Sequence, residues 1–174
     1  TPGESVAGAD IVITMLGLPR DVEEVYLGRG GVIEKAKAGA ILIDMTTSSP
    51  ALARRIAAAA SARGLSALDA PVSGGEGGAI SAKLSIMVGG DAASFARARP
   101  VFEAMGTNIN HLGAAGCGQH CKMVNQIVIA GTMLGVPALS LDPPASTSKV
   151  VRSDRTSRHA PSPVSTASTR RASM

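Results

Sequence analysis

Lys122, Asn125 and Gln126 are the side chains best spaced for chemistry, because a helix would carry all three on one face. The segment around Lys122 is nearly uncharged. In apolar surroundings a lysine has a lowered pKa and can exchange a proton with a carbonyl or hydroxyl oxygen. The alternative is a surface lysine whose ammonium reaches water, which is the commoner situation for a lone lysine. The neighbouring amides and the loop described next favour proton exchange.

The second candidate element is a loop formed by Ser73, Gly74 and Gly75, which follows a predicted strand. Glycine tolerates a positive φ, so consecutive N–H groups of this loop can point at one spot, and the serine hydroxyl adds a donor. Such an arrangement suits a small carboxylate. An ordinary glycine-rich loop is the alternative, and the presence of Lys122 favours carboxylate binding over it.

Strands and helices must alternate along the chain to position these groups. Short apolar runs predict strands at residues 11–15, 40–45, 66–70, 84–88 and 108–112. Pro19, Ser48 or Ser49 with Pro50, and Asp91 mark the starts of helices between them. The alternation predicts a doubly wound α/β fold, a partial Rossmann-like domain, over residues 1–114. The apolar composition, poor in aromatics, suits helices packed on a parallel sheet.

The chain changes character after residue 114. An apolar helix is predicted over residues 115–136, as the first helix of an all-α second domain. From residue 137 to 174, Ser, Thr, Pro and Arg dominate without periodicity, which predicts either a genuine disordered tail or the product of a shifted reading frame. The abruptness of the change in composition favours the frame shift.

The net charge of +4 lies entirely in that tail, because residues 1–136 carry 11 basic and 11 acidic side chains. The tail has no aromatic side chain for stacking on bases, so no nucleic-acid partner is expected. The longest apolar run, residues 127–136, is too short to span a bilayer, and no secretory leader is recognisable. No membrane partner is therefore expected.

Cys117, His120 and Cys121 could be imagined as metal ligands, but their spacing matches no common zinc pattern and no fourth ligand is evident. No metal site is predicted. Two cysteines on one helix do not indicate a disulfide framework, which suits a reducing, cytoplasmic location.

The turns after the first two predicted strands would border a nucleotide in such a fold. Leu16 and Gly17 follow the first of these strands, and Thr46 and Thr47 follow the second. Ordinary turns between a strand and a helix are the alternative for both.

Together these motifs resemble the β-hydroxyacid dehydrogenase family, which includes 3-hydroxyisobutyrate dehydrogenase and 2-hydroxy-3-oxopropionate reductase. The resemblance covers residues 9–136. It implies hydride transfer between NAD or NADP and a small 3-hydroxy acid or semialdehyde. The family's G-x-G-x-x-x-K-x-x-N pattern implies that Lys122 is the general acid/base and that Asn125 helps to hold the substrate and the lysine.

The resemblance also implies the ligand contacts. The Ser-Gly-Gly loop would bind the substrate carboxylate. Leu16, Gly17 and Thr47 would contact NAD or NADP, with Thr46 as a weaker candidate. The expected partner is a small carboxylate-bearing substrate, and the parent protein is expected to be a homo-oligomer.

Several departures from the family pattern bear on activity. The first βαβ unit with its GxGxxG is missing from the sequence, Gly17 stands where proline is common, and the helical domain stops after its first helix. We expect an active parent dehydrogenase and an inactive isolated chain. Gln126, where 3-hydroxyisobutyrate dehydrogenases tend to have Asn, favours the 2-hydroxy-3-oxopropionate reductase branch. The alternative function is a noncatalytic relative that uses the fold for protein interaction, against which the presence of Lys122 argues.

Overall fold

Two adjoining β-sheets organise the described part of the protein. A computed structural model describes residues 1–139. The strands are β1 (Ile11–Thr14), β2 (Ile41–Asp44), β3 (Ser66–Asp69), β4 (Val72–Ser73), β5 (Leu84–Val88) and β6 (Gly106–His111). Strands β1, β2 and β3 pair in parallel in that order, with Asp44 level with Thr14 on one side and with Asp69 on the other. The carboxyl ends of these strands therefore meet at one edge, where ligands bind in such folds.

The second sheet is mixed, in contrast to the parallel sheet that the composition suggests. Strand β4 is antiparallel to β5, and β5 is parallel to β6. An antiparallel bridge between Asp69 and Gly89 joins the end of β3 to the residue that follows β5. The chain reverses at Pro71, and the short β4 has no helical crossover that would return it to a parallel register.

Helices precede, separate and follow these strands, and those that start at Pro19, Pro50 and Ala92 begin where the sequence predicts. They are α1 (Pro2–Ser5), α2 (Pro19–Leu27), α3 (Val32–Lys35), α4 (Pro50–Ser61), α5 (Gly75–Ile80), α6 (Ala92–Glu103) and α7 (Cys117–Leu139). The Ser49 hydroxyl accepts the N–H of Leu52 at the start of α4, and the Asp91 carboxylate accepts the N–H of Ser94 at the start of α6. Helix α5 was not predicted, because its sequence is rich in glycine, which disfavours helices.

Apolar side chains pack on both faces of the first sheet, as a doubly wound fold requires. Leu42 of β2 packs in a cluster with residues of α2, α3 and α4, whereas Ile41 and Ile43 pack in another with residues of α6. All four positions of β2 are buried, which explains the apolar residues at its first three positions. Each such side chain stabilises the fold by roughly 1.5–3 kcal/mol. The predicted Rossmann-like α/β fold is confirmed.

The start of α7 lies directly against the ends of β3 and β5, and glycines make that approach possible. A Cβ on Gly118 would lie 2.6 Å from the main-chain oxygen of Asp69 and would also collide with that of Met87. A Cβ on Gly89 would lie 2.8 Å from the nitrogen of Gly118. Gly116 has a φ of +91°, which side chains disfavour. The G-x-G spacing therefore serves the docking of the helix on the sheet.

Helix α7 exposes many apolar side chains beyond its first turns. Seven of them are 40–78% exposed: Met123, Val124, Ile127, Val128, Ile129, Met133 and Leu134. The helix continues to Leu139, past the predicted end at residue 136. The rest of the predicted tail, residues 140–174, lies outside the described residues. Across residues 1–139, no helix has the length and apolar character needed to cross a membrane.

Replacing Gly118 with alanine is expected to lower the free energy of unfolding by about 3 kcal/mol, because the new methyl group collides with main-chain oxygens that no rotamer change can move. Gly131 on the same helix provides the control, since a Cβ there meets no atom within 4 Å. Gly131→Ala should raise the free energy of unfolding by up to about 1 kcal/mol through helix propensity. Urea denaturation followed by circular dichroism measures both. Equal stability of the two variants would contradict the close docking of α7.

Candidate functional site

One cavity of about 640 Å³ brings the two predicted chemical segments together. Ser73, Gly74, Gly75 and Lys122 all line it. The other lining residues are mainly apolar: Met15, Met45, Val72, Glu76, Ala79, Leu84 and Gln126. The segments meet because α7 starts where β3 ends, immediately before the turn that leads into β4. A few polar groups in a mainly apolar cavity are the usual composition of a small-molecule site.

Lys122 is the buried cation of this cavity. It is only 6% exposed. Among residues 1–135, no carboxylate lies within ion-pair distance of its ammonium group. Loss of hydration lowers the pKa of this lysine below its ordinary value. The amine can therefore gain and lose a proton closer to neutral pH than a surface lysine can.

Gln126, rather than Asn125, is the amide that lines the cavity. The Asn125 side-chain nitrogen donates a hydrogen bond of 3.4 Å to Oε1 of Gln126. Asn125 is therefore one contact removed from the cavity that Lys122 lines. Sequence reasoning placed Gln126 on the same helix face as Lys122 but gave the role of holding the substrate to Asn125.

The Ser-Gly-Gly loop has positive φ values at both glycines and is shared between two elements. Ser73 ends β4, and Gly75 begins α5. Gly74 and Gly75 have φ values of +134° and +60°, which side chains other than glycine disfavour. A Cβ on Gly74 would also lie 3.2 Å from a methyl carbon of Leu84. Glycine at both positions therefore keeps this loop open to the cavity.

The four predicted cofactor residues lie in two neighbouring loops, after β1 and after β2. The Thr46 side chain is turned into the protein: the residue is 2% exposed, and its Oγ1 accepts the N–H of Leu16 at 2.8 Å. Gly17 and Thr47 are exposed. The structure thus brings Leu16 and Thr46 together as a buried link and leaves Gly17 and Thr47 accessible to a ligand.

A buried hydrogen-bonded chain lies beneath these two loops. Thr14 Oγ1 donates to Asp44 Oδ1 at 3.0 Å and lies 2.8 Å from the Tyr26 hydroxyl, which therefore donates to it. The same Asp44 oxygen accepts the N–H of Thr46 at 3.1 Å. Burial raises the pKa of Asp44, and the nearby charge of Asp69 is a smaller cause in the same direction. This chain holds the start of the loop after β2 in place.

Asp69 holds the start of α7. It is 4% exposed, and its two carboxylate oxygens accept the N–H of Gly116 at 2.7 Å and that of Gln119 at 2.9 Å. Burial raises the pKa of Asp69, and the hydrogen bonds from these backbone groups act in the opposite direction. The carboxylate therefore serves as the cap of a helix that begins after a glycine. Sequence reasoning gave Asp69 no role.

Among residues 1–139, no three side chains of His, Cys, Asp or Glu come close enough together to hold a metal ion. Cys117 and Cys121 are both free thiols.

Comparison with known proteins gives a consistent result. A family model described as the NAD binding domain of 6-phosphogluconate dehydrogenase matches residues 1–113. An uncharacterized oxidoreductase of Bacillus subtilis is 59% identical over 128 residues, covering 74% of this chain and 44% of that protein. The 3-hydroxyisobutyrate dehydrogenase of Pseudomonas aeruginosa is 49% identical over 128 residues, covering 74% of this chain and 43% of that enzyme.

A solved structure agrees with these relatives. The Mycobacterium tuberculosis 3-hydroxyisobutyrate dehydrogenase with L-serine superimposes with a TM-score of 0.67 at 43% identity, covering 80% of this chain and 50% of that one. The chain thus spans half or less of the length of these three proteins.

Replacing Lys122 with methionine should stabilise the fold by about 1 kcal/mol at neutral pH, because it removes a buried charge that has no partner among the described residues. The lowered pKa means that the folded state binds the proton less firmly than the unfolded state does. The stabilisation should therefore be largest below the lowered pKa and fade as the pH rises toward the ordinary value of 10.5.

Thermal unfolding at several pH values measures this effect. Lys83→Met is the control, because Lys83 is exposed, and this change should alter stability by less than about 0.5 kcal/mol. A destabilised Lys122→Met variant, or a stabilisation independent of pH, would contradict a buried ammonium without a counter-charge.

Proposed function

This chain belongs to the family described as the NAD binding domain of 6-phosphogluconate dehydrogenase, and on that premise we propose that it is part of an NAD- or NADP-dependent oxidoreductase acting on a small 3-hydroxy acid or the matching semialdehyde. One observation carries the proposal. A buried lysine with no counter-charge among the described residues lines the same cavity as the Ser-Gly-Gly loop, whose two glycines have positive φ values. These are the two groups that a substrate with a carboxylate and a reacting hydroxyl requires.

The Ser-Gly-Gly loop binds the substrate carboxylate in this proposal. The Ser73 hydroxyl and the N–H groups of Gly74 and Gly75 supply the hydrogen-bond donors. Hydrogen bonds to a charged acceptor are worth roughly 1.5–3 kcal/mol each, which is enough to fix one end of a small molecule. No carboxylate of the protein competes with the substrate for Lys122, because that lysine has no carboxylate partner in the described residues.

Lys122 moves the proton. When the hydroxy acid is oxidised, the neutral amine accepts the hydroxyl proton at Nζ while the carbon loses a hydride. When the semialdehyde is reduced, the ammonium donates that proton to the oxygen, and its charge stabilises the oxyanion that forms. The lowered pKa favours the first role and the ammonium charge the second, so one residue serves both directions.

The loops after β1 and β2 are suited to hold NAD or NADP. Gly17 and Thr47 are exposed at the carboxyl ends of parallel strands, where nucleotides bind in such folds. The Ser48 hydroxyl in the second loop is buried and has no hydrogen-bond partner among the described residues. The nicotinamide, when bound, supplies the hydride chemistry. The protein's own part is to bind, orient and exchange the proton.

The cavity walls favour a substrate that carries a small apolar group. Met15, Met45, Val72 and Leu84 contribute most of the apolar lining. A methyl branch gains roughly 0.8 kcal/mol per buried carbon against such walls. We therefore propose 3-hydroxyisobutyrate as the substrate, ahead of the more polar 2-hydroxy-3-oxopropionate. Gln126 taken alone favours the second compound, because 3-hydroxyisobutyrate dehydrogenases tend to have Asn at that position. Two of the relatives named above are 3-hydroxyisobutyrate dehydrogenases, which supports this order, and the complex of one of them with L-serine supports the wider class of 3-hydroxy acids.

Replacing Lys122 with alanine should lower kcat for 3-hydroxyisobutyrate oxidation by about 10²–10⁴-fold in the protein that contains this chain, because the proton loses its acceptor. Lys122→Arg should be equally impaired, since a guanidinium keeps the charge but does not release a proton. Ser73→Ala should raise KM about tenfold and change kcat less, because it removes a donor to the unreactive end.

Absorbance of the reduced nicotinamide measures all three variants against Lys83→Ala, which changes an exposed lysine and should behave as wild type. A Lys122→Arg enzyme with wild-type kcat would rule out proton transfer by the lysine. A wild-type protein with no activity on any 3-hydroxy acid would rule out the proposed substrate class.

A further inference from the structure

We propose that Gln119 is a positioning residue that fixes the loop after β2 relative to the helix that carries Lys122. This inference rests on the proposed function only for its catalytic consequence, namely that the loop serves the cofactor and the helix serves the substrate. The link itself is carried by contacts within the described residues.

The Gln119 side chain bridges the loop with both ends of its carboxamide. It is 1% exposed, its Oε1 accepts the N–H of Ser48 at 2.8 Å, and its Nε2 donates to the main-chain oxygen of Thr46 at 2.7 Å. An N–H needs an acceptor and a carbonyl needs a donor, so the orientation of the amide is fixed by its partners. The loop and α7 are thereby held at a single relative position.

The connection extends from Gln119 to the loop after β1. Thr46, whose carbonyl accepts from Gln119, also accepts the N–H of Leu16 through its hydroxyl at 2.8 Å. Each contact in this series is buried or half-buried. A shift of either loop must therefore break a buried hydrogen bond or move α7, and leaving such a group unpaired costs roughly 1–3 kcal/mol.

Gln119 is anchored through its main chain as well as its side chain. Its N–H donates to the Asp69 carboxylate at 2.9 Å, which ties the same residue to the end of β3. Lys122 follows three residues later on the helix, less than one turn away. In this proposal Gln119, which does not itself line the cavity, sets the position of the Lys122 ammonium there.

A carboxamide is the one side chain of this length that meets both demands. Methionine has a similar length but leaves the N–H of Ser48 and the carbonyl of Thr46 without partners. Ionised glutamate can accept from Ser48 but turns a carboxylate oxygen toward the Thr46 carbonyl, which repels it. Protonated glutamate regains a donor and can restore both hydrogen bonds. A Gln119→Glu variant should therefore lose the bridge when the glutamate is ionised and regain it when the glutamate is protonated, so the bridge can be tested by changing the pH.

The test compares Gln119→Met, Gln119→Glu and the control Thr132→Val, a change on the exposed face of the same helix, in the 174-residue chain. Nuclear magnetic resonance reads the hydrogen-exchange protection factors of the Ser48 and Leu16 amides. A second NMR titration reads the pKa of Lys122, which a residue that only stabilised the loop would leave unchanged.

Gln119→Met should lower both protection factors at least tenfold and move the Lys122 titration midpoint up toward 10.5 as water reaches the ammonium. Gln119→Glu should do the same at neutral pH and recover protection when acidification protonates the new carboxyl. If Gln119→Met does not fold, the recovery of amide protection by Gln119→Glu in acid is sufficient to test the proposed bridge. The control should match wild type.

Lost protection at Ser48 with an unchanged Lys122 titration would overturn the proposal, as would a Gln119→Glu variant that does not recover in acid. Oxidation of 3-hydroxyisobutyrate by the protein that contains this chain is measured separately. An inactive parent protein, together with the coupled changes in the chain, would count against the proposed function and leave the positioning role intact.

Discussion

The docking of α7 on the Asp69 carboxylate is the interaction on which the rest of the site depends. The helix begins after Gly116, which has no side chain to satisfy the first N–H groups, so a residue from the end of β3 supplies both acceptors. Gly89 and Gly118 remove the side chains that would hold the two backbones apart. The N-terminal end of the helix dipole favours the ionised carboxylate by roughly 0.3–2 kcal/mol, and this opposes the burial that raises the pKa of Asp69.

This docking gives the site an uneven distribution of charge. The buried carboxylate is fully used by backbone donors at the start of α7, whereas the Lys122 ammonium, less than two turns further along, has no counter-charge in the described residues. A lysine paired with Asp69 would be stable but inert, because the ion pair would raise its pKa and hold its proton. Helix capping separates the two charges and leaves the lysine without a counter-charge in the described residues. The proposed proton exchange requires this arrangement, which costs the fold some stability.

Most of the fold could be predicted from the sequence, because its signals are local. The strand at Ile41–Asp44 begins with three buried apolar residues in a row, and Ser49 and Asp91 cap helices through neighbouring residues. Helix α5 and the short strand Val72–Ser73 were not predicted, since a glycine-rich segment and a two-residue strand carry no periodicity. The roles of Asp69 and Gln119 could not be read at all, because their partners lie 47 and 71 residues away in sequence. The Ser-Gly-Gly loop and Lys122 were found by residue type, whereas the cavity that unites them is a property of the folded chain.

The most direct test of the account is an NMR titration of the wild-type chain with 3-hydroxyisobutyrate, observing the Gly74 and Gly75 amides and the Lys122 side chain together. The account predicts that all three signals shift with one dissociation constant, because one molecule binds the loop through its carboxylate and the lysine through its hydroxyl. Isobutyrate, which lacks the hydroxyl, should move the glycine amides and perturb Lys122 much less. A Lys122 signal that stays unchanged while the glycine amides saturate with the hydroxy acid would contradict the claim that the two elements form a single site.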